Sequence, residues 1–242
     1  DMPTDVIFKE LYHENLKNVN RGVDTYWIGQ PIRVGVGQRY NLSLTGGDNI
    51  FRWRTSLGYN NISGAMKGSD RNNFNGTIDL SYTHKNLIFN NQTSITTNKA
   101  INSKYGSFAS YAQMNPYWPI YDDNGELIKS YVLPGVGVTS EIGNPLYNAQ
   151  LNTYNNSNYT QLVNNFSIEW AIINELRLRG QFGISKNFTK SDSFYPAEHT
   201  MFDSYDISDA MKKGSYTFGT GESFSMNGNL TLSYSKTFAH KH

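Results

Sequence analysis

The sequence predicts an all-β fold, an antiparallel up-and-down transmembrane β-barrel segment of about seven strands that belongs to a larger barrel. Composition is the first indication: 14% of the residues are aromatic, with 17 Tyr and 13 Phe, and only 17% are charged, which is typical of β-rich chains. The second is strict alternation of apolar and polar residues over stretches of about ten residues, the length that a tilted strand needs to cross a bilayer. The third is the regular alternation of tight turns and long loops between these stretches.

Bulk properties exclude several functional classes. The chain has 242 residues, a formal net charge of +1 and no cysteine, so neither a disulfide framework nor a thiolate metal site is possible. The five histidines are scattered without metal-ligand spacing, and we expect no cofactor. The balanced charge gives no indication of a nucleic-acid partner. No apolar run approaches the roughly 18 residues of a membrane helix.

Residues 39–59 form the clearest predicted hairpin. Before a polar turn at residues 45–49, Tyr40, Leu42 and Leu44 alternate with polar residues. After the turn, every second position is again mostly apolar, with Phe51, Trp53, Leu57 and Tyr59. The hairpin therefore has one apolar face and one polar face that carries arginines, and the apolar face could meet either a protein core or lipid.

Further strands follow the same pattern. The seven predicted strands lie near residues 37–45, 50–60, 73–83, 87–96, 159–171, 175–186 and 223–236. Aromatic residues fall at predicted strand ends, where a membrane girdle would lie: Tyr59, Tyr82, Trp170 and Tyr234. The fourth strand is the least regular, because Asn91 and Thr93 occupy apolar-side positions and Ile88 a polar-side position.

Residues outside the strands divide into an N-terminal part and two long loops. Helical spacing of Phe8, Leu11 and Leu16 predicts a helix from residue 4 to about residue 18. We assign residues 1–36 to an extracellular helix and connector and residues 37–242 to a partial barrel, with long loops at 99–157 and 189–222. The first loop is predicted to contain a helical turn at 107–113 and a small hairpin at Asp123-Asn124-Gly125, where Asn-Gly suits a type I′ turn.

The loop lengths favour a membrane environment. In chain order the connections are short, medium, short, very long, short and long, which is the layout of outer-membrane barrels. A soluble β-sandwich, such as a glycan-binding module on the cell surface, is the alternative, but it does not require all its long loops on one side. A small complete porin is disfavoured, because no strand closes the chain with a terminal aromatic residue. If the short turns are periplasmic, the first strand runs inward, so at least one upstream strand is missing and seven strands cannot close alone.

A series of short segments runs in order along nearly the whole chain. They are GVDTYW (22–27), PIR (31–33), GQRY (37–40), LSLTGG (42–47), LGY (57–59), MKGS (66–69), YGSF (105–108), NPY (115–117), YDDNG (121–125) and GNPLYN (143–148). As a series they resemble the barrel of SusC/RagA-like TonB-dependent outer-membrane transporters of Bacteroidetes.

The resemblance has specific implications. It implies a barrel of about 22 strands closed by an N-terminal plug, capped by a SusD-like surface lipoprotein. It further implies import of oligosaccharides or peptides across the outer membrane of a Gram-negative, Bacteroidetes-type cell, with energy relayed by the TonB complex. The plug and the TonB-contacting segment lie upstream in such proteins.

Candidate binding residues lie in the first long loop, and we find no nucleophile–base set that would indicate an enzyme. The candidates are Tyr111, Tyr117, Trp118, Tyr121, Asp122 and Asp123. Aromatic faces stack on sugar rings and carboxylates accept hydrogen bonds from hydroxyl groups, which is the chemistry that a sugar-binding site needs. The alternative is that these aromatics pack the loop on itself or on the lipoprotein. A separate set of arginines is predicted to face the lumen or the plug: Arg52, Arg54, Arg177 and Arg179.

Overall fold

The computed structural model describes residues 4–133, 140–205 and 207–237. Its nine strands are β1 Val36–Gly47, β2 Phe51–Ser63, β3 Asp70–His84, β4 Leu87–Ile101, β5 Ser130–Leu133, β6 Ser140–Gly143, β7 Tyr154–Ile173, β8 Leu176–Tyr195 and β9 Ser215–Tyr234. Seven of them form one antiparallel sheet in the order β1-β2-β3-β4-β7-β8-β9, while β5 and β6 pair separately. The predicted all-β, up-and-down arrangement of seven strands is confirmed.

Helices are short and lie outside the sheet. They are α1 Thr4–Asn20, α2 Phe108–Ala112 and α3 Pro145–Gln150, with 3₁₀ turns at Trp27–Gly29, Thr200–Phe202 and Ile207–Lys212. Ser107 caps α2 by accepting a hydrogen bond from the Ser110 amide at 3.3 Å, within the predicted helical turn. Among the described residues, none of the helices is long and apolar enough to cross a membrane.

Strand register places all the predicted apolar positions on one face of the sheet, here called the apolar face. Directly paired residues of neighbouring strands share a face, and the pairs Tyr40–Tyr59, Tyr59–Phe74 and Ile168–Phe89 show this continuity. The set comprises Tyr40, Leu42, Leu44, Phe51, Trp53, Leu57, Tyr59, Phe74, Ile78, Leu80, Tyr82, Leu87, Phe89, Ile95, Leu162, Phe166, Ile168, Trp170, Leu176, Leu178, Phe182, Ile184, Met226, Leu230, Leu232 and Tyr234. The opposite face, the polar face, carries the arginines of β2 and β8.

The three tight turns lie together at one end of the sheet, here called the turn end. They join β1 to β2, β3 to β4 and β7 to β8 at residues 48–50, 85–86 and 174–175. In the first turn, Asp48 Oδ1 accepts hydrogen bonds from the amides of Ile50 and Phe51 at 2.7 and 2.8 Å. These bonds hold the pKa of the Asp48 carboxyl below its ordinary value. The remaining connections, residues 64–69, 102–153 and 196–214, lie at the opposite, loop end.

The long strands extend further toward the loop end than the sequence predicts. β7, β8 and β9 each have 20 residues, so the two long loops shorten to residues 102–153 and 196–214. Near the loop end the apolar face becomes mixed. Lys99 pairs with Asn158, which pairs with Lys190, although Tyr154 and Phe194 also pair on this face. Polar residues interrupt the period-two signal there, while the backbone pairing continues.

Packed apolar core lies in the loops and not against the sheet. In the described ranges, the buried apolar side chains are Trp27, Tyr111, Met114, Trp118, Tyr131, Ala149 and Phe202. Side chains of the apolar face remain exposed by contrast, with Leu42 54% and Leu230 74% accessible. A sheet whose apolar face has no protein to cover it needs another environment for that face.

Candidate functional site

The first long loop is organised around an aromatic cluster, here called the loop core. It consists of Trp27, Tyr111, Met114, Trp118 and Tyr131. The rings of Trp118 and Tyr131 stack with centroids 4.7 Å apart and planes 4° from parallel. The Tyr131 hydroxyl donates to the Pro119 carbonyl at 2.7 Å, and Trp27 Nε1 donates to the Asn115 carbonyl at 2.9 Å. These contacts tie the N-terminal connector to the loop.

A buried asparagine joins α3 to the loop core. Asn144 is fully buried, and its Oδ1 caps α3 by accepting from the Leu146 amide at 2.9 Å. Its Nδ2 donates to the Ile128 carbonyl at 2.7 Å and to the Tyr131 hydroxyl at 3.3 Å. Pro145 follows at the first helical position, where the missing amide hydrogen has no cost. Residues 143–148 therefore contain the start of α3, and its N-cap residue Asn144 is hydrogen-bonded to the loop core.

Two of the six predicted binding residues, Tyr111 and Tyr117, do not share a site with the other four. Tyr111 has no exposed surface, and burial raises the pKa of its hydroxyl, because the phenolate would be poorly solvated. Tyr117 is 45% exposed but lies outside the groove that the other four residues line. The sequence pattern does not distinguish these environments, because both are aromatic positions in an irregular loop.

The other four residues line one groove between α1 and the loop. This groove has a volume of about 350 Å³, and its lining includes Trp118, Tyr121, Asp122 and Asp123. Apolar parts of its wall come from Leu11, Val23, Ile128 and Val132. At its edge, Arg21 NH1 lies 3.0 Å from Asp123 Oδ1, and both side chains are well exposed. The groove is therefore mixed in character, with apolar patches, polar side chains of α1 such as Glu14 and Lys17, and a charged rim.

Asp122 stabilises a turn and also lines the groove. Its Oδ1 accepts hydrogen bonds from the amides of Asn124 and Glu126 at 2.9 and 2.8 Å, and these bonds lower the pKa of its carboxyl, that from Glu126 most. Gly125 has φ of +82° whereas Asn124 does not have positive φ. The expected type I′ turn is therefore wrong: the chain forms a type I turn followed by a left-handed glycine, since the Asx bonds hold Asn124 in ordinary backbone.

The polar face encloses a larger concavity near the turn end, of about 1050 Å³. Arg52 and Arg54 line it together with Asp79, which accepts a hydrogen bond from Gln92 Nε2 at 2.8 Å. Its amide-rich wall includes Asn90, Asn165, Gln181, Asn227 and Asn229. Arg177 and Arg179 share the polar face but lie outside this lining, and Arg177 pairs instead with Glu169 at 3.7 Å. These amides lie at polar-face positions of four strands, β4, β7, β8 and β9, and the sequence pattern alone predicts only a polar face there.

A smaller cavity was missed by sequence reasoning altogether. It has a volume of about 160 Å³ and lies where the loop ends of β4, β7 and β8 meet the loops. Thr153 and His199 are among its lining residues, and they are 46 positions apart in the numbering, so no local motif could reveal it. Over the described ranges, no group of three or more His, Cys, Asp or Glu residues is placed to hold a metal ion.

Comparison with known proteins shows the fold. No protein-family model matches the chain, and no curated protein matches it. Among solved structures, it is similar to a chain of the RagAB peptide importer in the closed-closed and open-open states, each with a TM-score of 0.67, 18% identity and coverage of 90% of this chain and 24% of that chain. The ferric-catecholate import receptor Fiu of E. coli K12, in its open form, matches with a TM-score of 0.43, 11% identity and coverage of 82% of this chain and 32% of that chain.

The RagAB matches show the fold and its scale. The chain spans about a quarter of the length of the RagAB chains that it matches. Its sheet has the fold of the matched part of those chains, which belong to a peptide importer or transporter.

Proposed function

We propose that the chain is a segment of an outer-membrane TonB-dependent importer, in which the sheet forms barrel wall and the loops face the incoming substrate. The single observation that carries this proposal is the continuous apolar face, exposed over seven strands and opposite a concave polar face. In a membrane barrel, the apolar face contacts lipid and the polar face lines a water-filled lumen, so each face has a suitable environment.

The dimensions of the apolar band support a membrane position. At the loop end of the band, Tyr40, Tyr59 and Phe74 form one aromatic row across three strands. At the turn end, a second row contains Tyr82 and Phe89. Tyr82 lies eight positions after Phe74, which is about 26 Å along a strand and roughly 20 Å in height after a tilt near 40°. Outer-membrane barrels have an apolar band of about 25 Å between aromatic girdles.

The two edges of the sheet support a larger barrel. In the described sheet, β1 and β9 each have one neighbour, so one row of backbone groups on each is unpaired. Unpaired edges are not tolerated in hydrocarbon. We therefore infer that further strands continue the wall on both sides, toward a barrel of about 22 strands with a plugged lumen.

The finer assignment is to the SusC/RagA-like class, with a SusD-like surface lipoprotein above the loops, the TonB complex as energy source and a Bacteroidetes-type outer membrane. The ordered series of short sequence segments and the likeness to the RagAB peptide importer support it. The substrate would be an oligosaccharide or a peptide. In the groove beside α1, we propose Tyr121, Asp122 and Asp123 as ligand contacts with Trp118 as the floor, while Tyr111 supports the groove from the loop core and Tyr117 contacts ligand or lipoprotein outside it.

Neighbouring residues of β3 provide a direct test. Ile78 lies on the apolar face and Thr77 on the polar face, and this chain has no cysteine, so one introduced cysteine is unique within it. In the intact protein reconstituted in vesicles, with any cysteine outside this segment replaced by serine, a probe on Ile78→Cys is expected to be quenched by brominated lipid and a probe on Thr77→Cys by aqueous iodide. Equal accessibility of both probes to iodide, or a folded monomer in buffer without detergent, would favour the soluble sandwich instead.

A further inference from the structure

Two lysines lie on the apolar face of the sheet, just beyond its loop-end aromatic row. Phe74 of that row pairs with Thr97, and Lys99 lies two positions further toward the loop end. Lys99 pairs with Asn158, which pairs in turn with Lys190. Both lysine side chains are exposed, so two cations border the apolar band on the face that contacts lipid in the proposed membrane position.

The height of these lysines matches the headgroup layer of a membrane. Two residues span about 6.6 Å along a strand and roughly 5 Å in height after a tilt near 40°. Each polar layer of a bilayer is about 5–8 Å thick, outside a hydrocarbon core of about 30 Å. With the aromatic row at the edge of the hydrocarbon, the backbone of Lys99 and Lys190 lies among the headgroups.

A third lysine shows the direction in which such side chains extend. Lys186 pairs with Leu162, inside the apolar band. Its ammonium group lies over the ring of Phe188, 4.8 Å from the centroid, and Nζ is 2.5 Å from Glu222 Oε1. Phe188 is two residues closer to the loop end, so the side chain extends toward the membrane surface, as lysines near an interface do. Glu222 neutralises its charge.

Lys190 has no carboxylate of this kind beside it. Its ammonium group lies over the exposed ring of Phe218, 5.1 Å from the centroid. Asp192, the one acidic residue of β8, lies two residues further along the same face. Among the described residues, no carboxylate forms an ion pair with Lys190 or Lys99. Both ammonium groups therefore remain available to an anion outside the sheet.

We propose that Lys99 and Lys190, with Asn158 between them, bind the phosphate of a lipid headgroup in the leaflet around the loop end. This inference rests on the proposed function, because it needs the sheet in a membrane. Asn158 lies one strand from each lysine, so the two lysine backbones are about 10 Å apart, and their flexible four-carbon stems can reach one group between them.

The chemistry of the three side chains suits a phosphate. Ammonium groups donate charge-assisted hydrogen bonds to phosphate oxygens, and the side-chain amide of Asn158 can donate another. The contact of Lys190 with Phe218 does not prevent this, because a cation–π contact at an exposed site is weak. A lipid fits better than an acidic protein surface, since both lysines continue the face that lipid covers.

Quenching of a fluorophore beside Lys190 tests the proposal. In the intact protein, with any other cysteine replaced by serine, Thr220→Cys places a probe on the residue that pairs with Lys190. Asn61→Cys is the matched position, because it shares the face and the register row but its neighbours are Gln38 and Asn72. The protein is reconstituted in phosphatidylcholine vesicles that contain a small fraction of spin-labelled quencher lipid. The quencher is either phosphatidic acid or phosphatidylcholine with the same acyl chains.

Phosphatidic acid is expected to quench the probe at Thr220→Cys more strongly than phosphatidylcholine, whose own choline neutralises its phosphate. At Asn61→Cys the two lipids should quench equally. Lys99→Gln and Lys190→Gln should each lower the preference for phosphatidic acid about fivefold, the effect of one lysine at an anionic lipid surface, whereas Lys190→Arg should retain it. The control Lys9→Gln, which changes an exposed lysine of α1, should leave the preference unchanged.

Four results would overturn the proposal: equal quenching by the two lipids at Thr220→Cys, the same preference at Asn61→Cys, a preference that survives both glutamine substitutions, or its loss when inorganic phosphate equals the lipid phosphate in concentration. The last result would assign the lysines to a free anion. If the probe on Ile78→Cys is still quenched by brominated lipid, these results leave the proposed function intact. No quenching by lipid at any of the three positions would instead refute the membrane position, and the inference with it.

Discussion

Asn164→Ala is predicted to destabilise the barrel wall, because Asn164 completes a polar network on the apolar face. Asn164 pairs directly with Thr93, which pairs with Ile78, and Ile78 lies midway between the two aromatic rows. In the proposed membrane position, the network lies near the middle of the bilayer. Asn91 and Thr93 are the two residues that broke the predicted apolar pattern of β4, and Asn164 is the partner that satisfies them.

The magnitude follows from the bonds that the substitution removes. Asn164 Nδ2 donates to Asn91 Oδ1 at 3.1 Å and to Thr93 Oγ1 at 2.7 Å, while its Oδ1 accepts from Asn91 Nδ2 at 3.2 Å. Inter-residue hydrogen bonds in membrane proteins average about 0.6 kcal/mol each, and a donor left unpaired costs about 1–3 kcal/mol. The alanine variant should therefore lose about 2–4 kcal/mol of the free energy of unfolding.

A triple variant separates the hydrogen bonds from the side-chain volume. Replacing all three polar residues together, as Asn91→Leu, Thr93→Val and Asn164→Leu, leaves no unpaired group, so it should be near neutral or stabilising. Equilibrium denaturant unfolding of the intact protein in lipid vesicles gives both values. Asn75→Ala is the control, because Asn75 bonds Asn73 on the exposed polar face at 2.6 Å and should change stability little. A neutral Asn164→Ala variant, or a triple variant as destabilised as the single one, would contradict the conclusion that these hydrogen bonds stabilise the barrel wall.

Three further predictions concern other parts of the chain. Ile78→Lys should lower the free energy of unfolding in vesicles by about 2–4 kcal/mol, as for a lysine at the bilayer midplane. Thr77→Lys should lower it far less in the same assay, and equal losses would contradict the assignment of faces. Trp118→Ala should lower the local stability of the loop core by about 3–5 kcal/mol. Residues 102–153 should then be cleaved faster by a protease, while the amides of the sheet stay protected from hydrogen exchange. An unchanged cleavage rate would mean that the stack on Tyr131 does not hold the loop. Because Asp48 has a folded pKa below its ordinary 3.8, its ionised form stabilises the first turn above that value, and this contribution is lost as the pH falls through the folded pKa. Asp48→Asn should therefore lower the unfolding midpoint at neutral pH and lose that effect in strong acid, and a pH-independent difference would exclude the charge as its cause.

Sequence reasoning succeeded with the strands because the period-two signal is local. Tyr40, Leu42 and Leu44 face one side for the same reason in any sheet: successive side chains of a strand point to opposite faces. The lengths of β7 to β9 are underestimated, because beyond the apolar band polar residues such as Lys190 and Asn158 interrupt the apolar face and the alternation weakens. Sequence reasoning also grouped six loop residues into one site, and the structure brings only four of them to one groove.

The division of those six residues depends on contacts that are distant in sequence. Trp118 is covered by Tyr131, and Trp27 reaches the loop through a hydrogen bond to Asn115, 88 positions away. Residue type and spacing do not specify which aromatic a distant partner will cover. The same limit hid the small cavity, because Thr153 and His199 of its lining are 46 positions apart.

By itself the sequence determined the seven strands of the main sheet, their up-and-down order, the two faces and the alternation of short and long connections, because each depends on periodicity or on turn residues a few positions apart. Only the tertiary structure showed the separate pair β5 and β6 and the register between β4 and β7, which brings Asn164 to Asn91 and Thr93, 73 and 71 positions away. It also decided that the buried core of the described residues lies in the loops and that residues as distant as Thr153 and His199 line one small cavity at the loop end. These outcomes depend on which distant surfaces come together, and no local pattern carries that information.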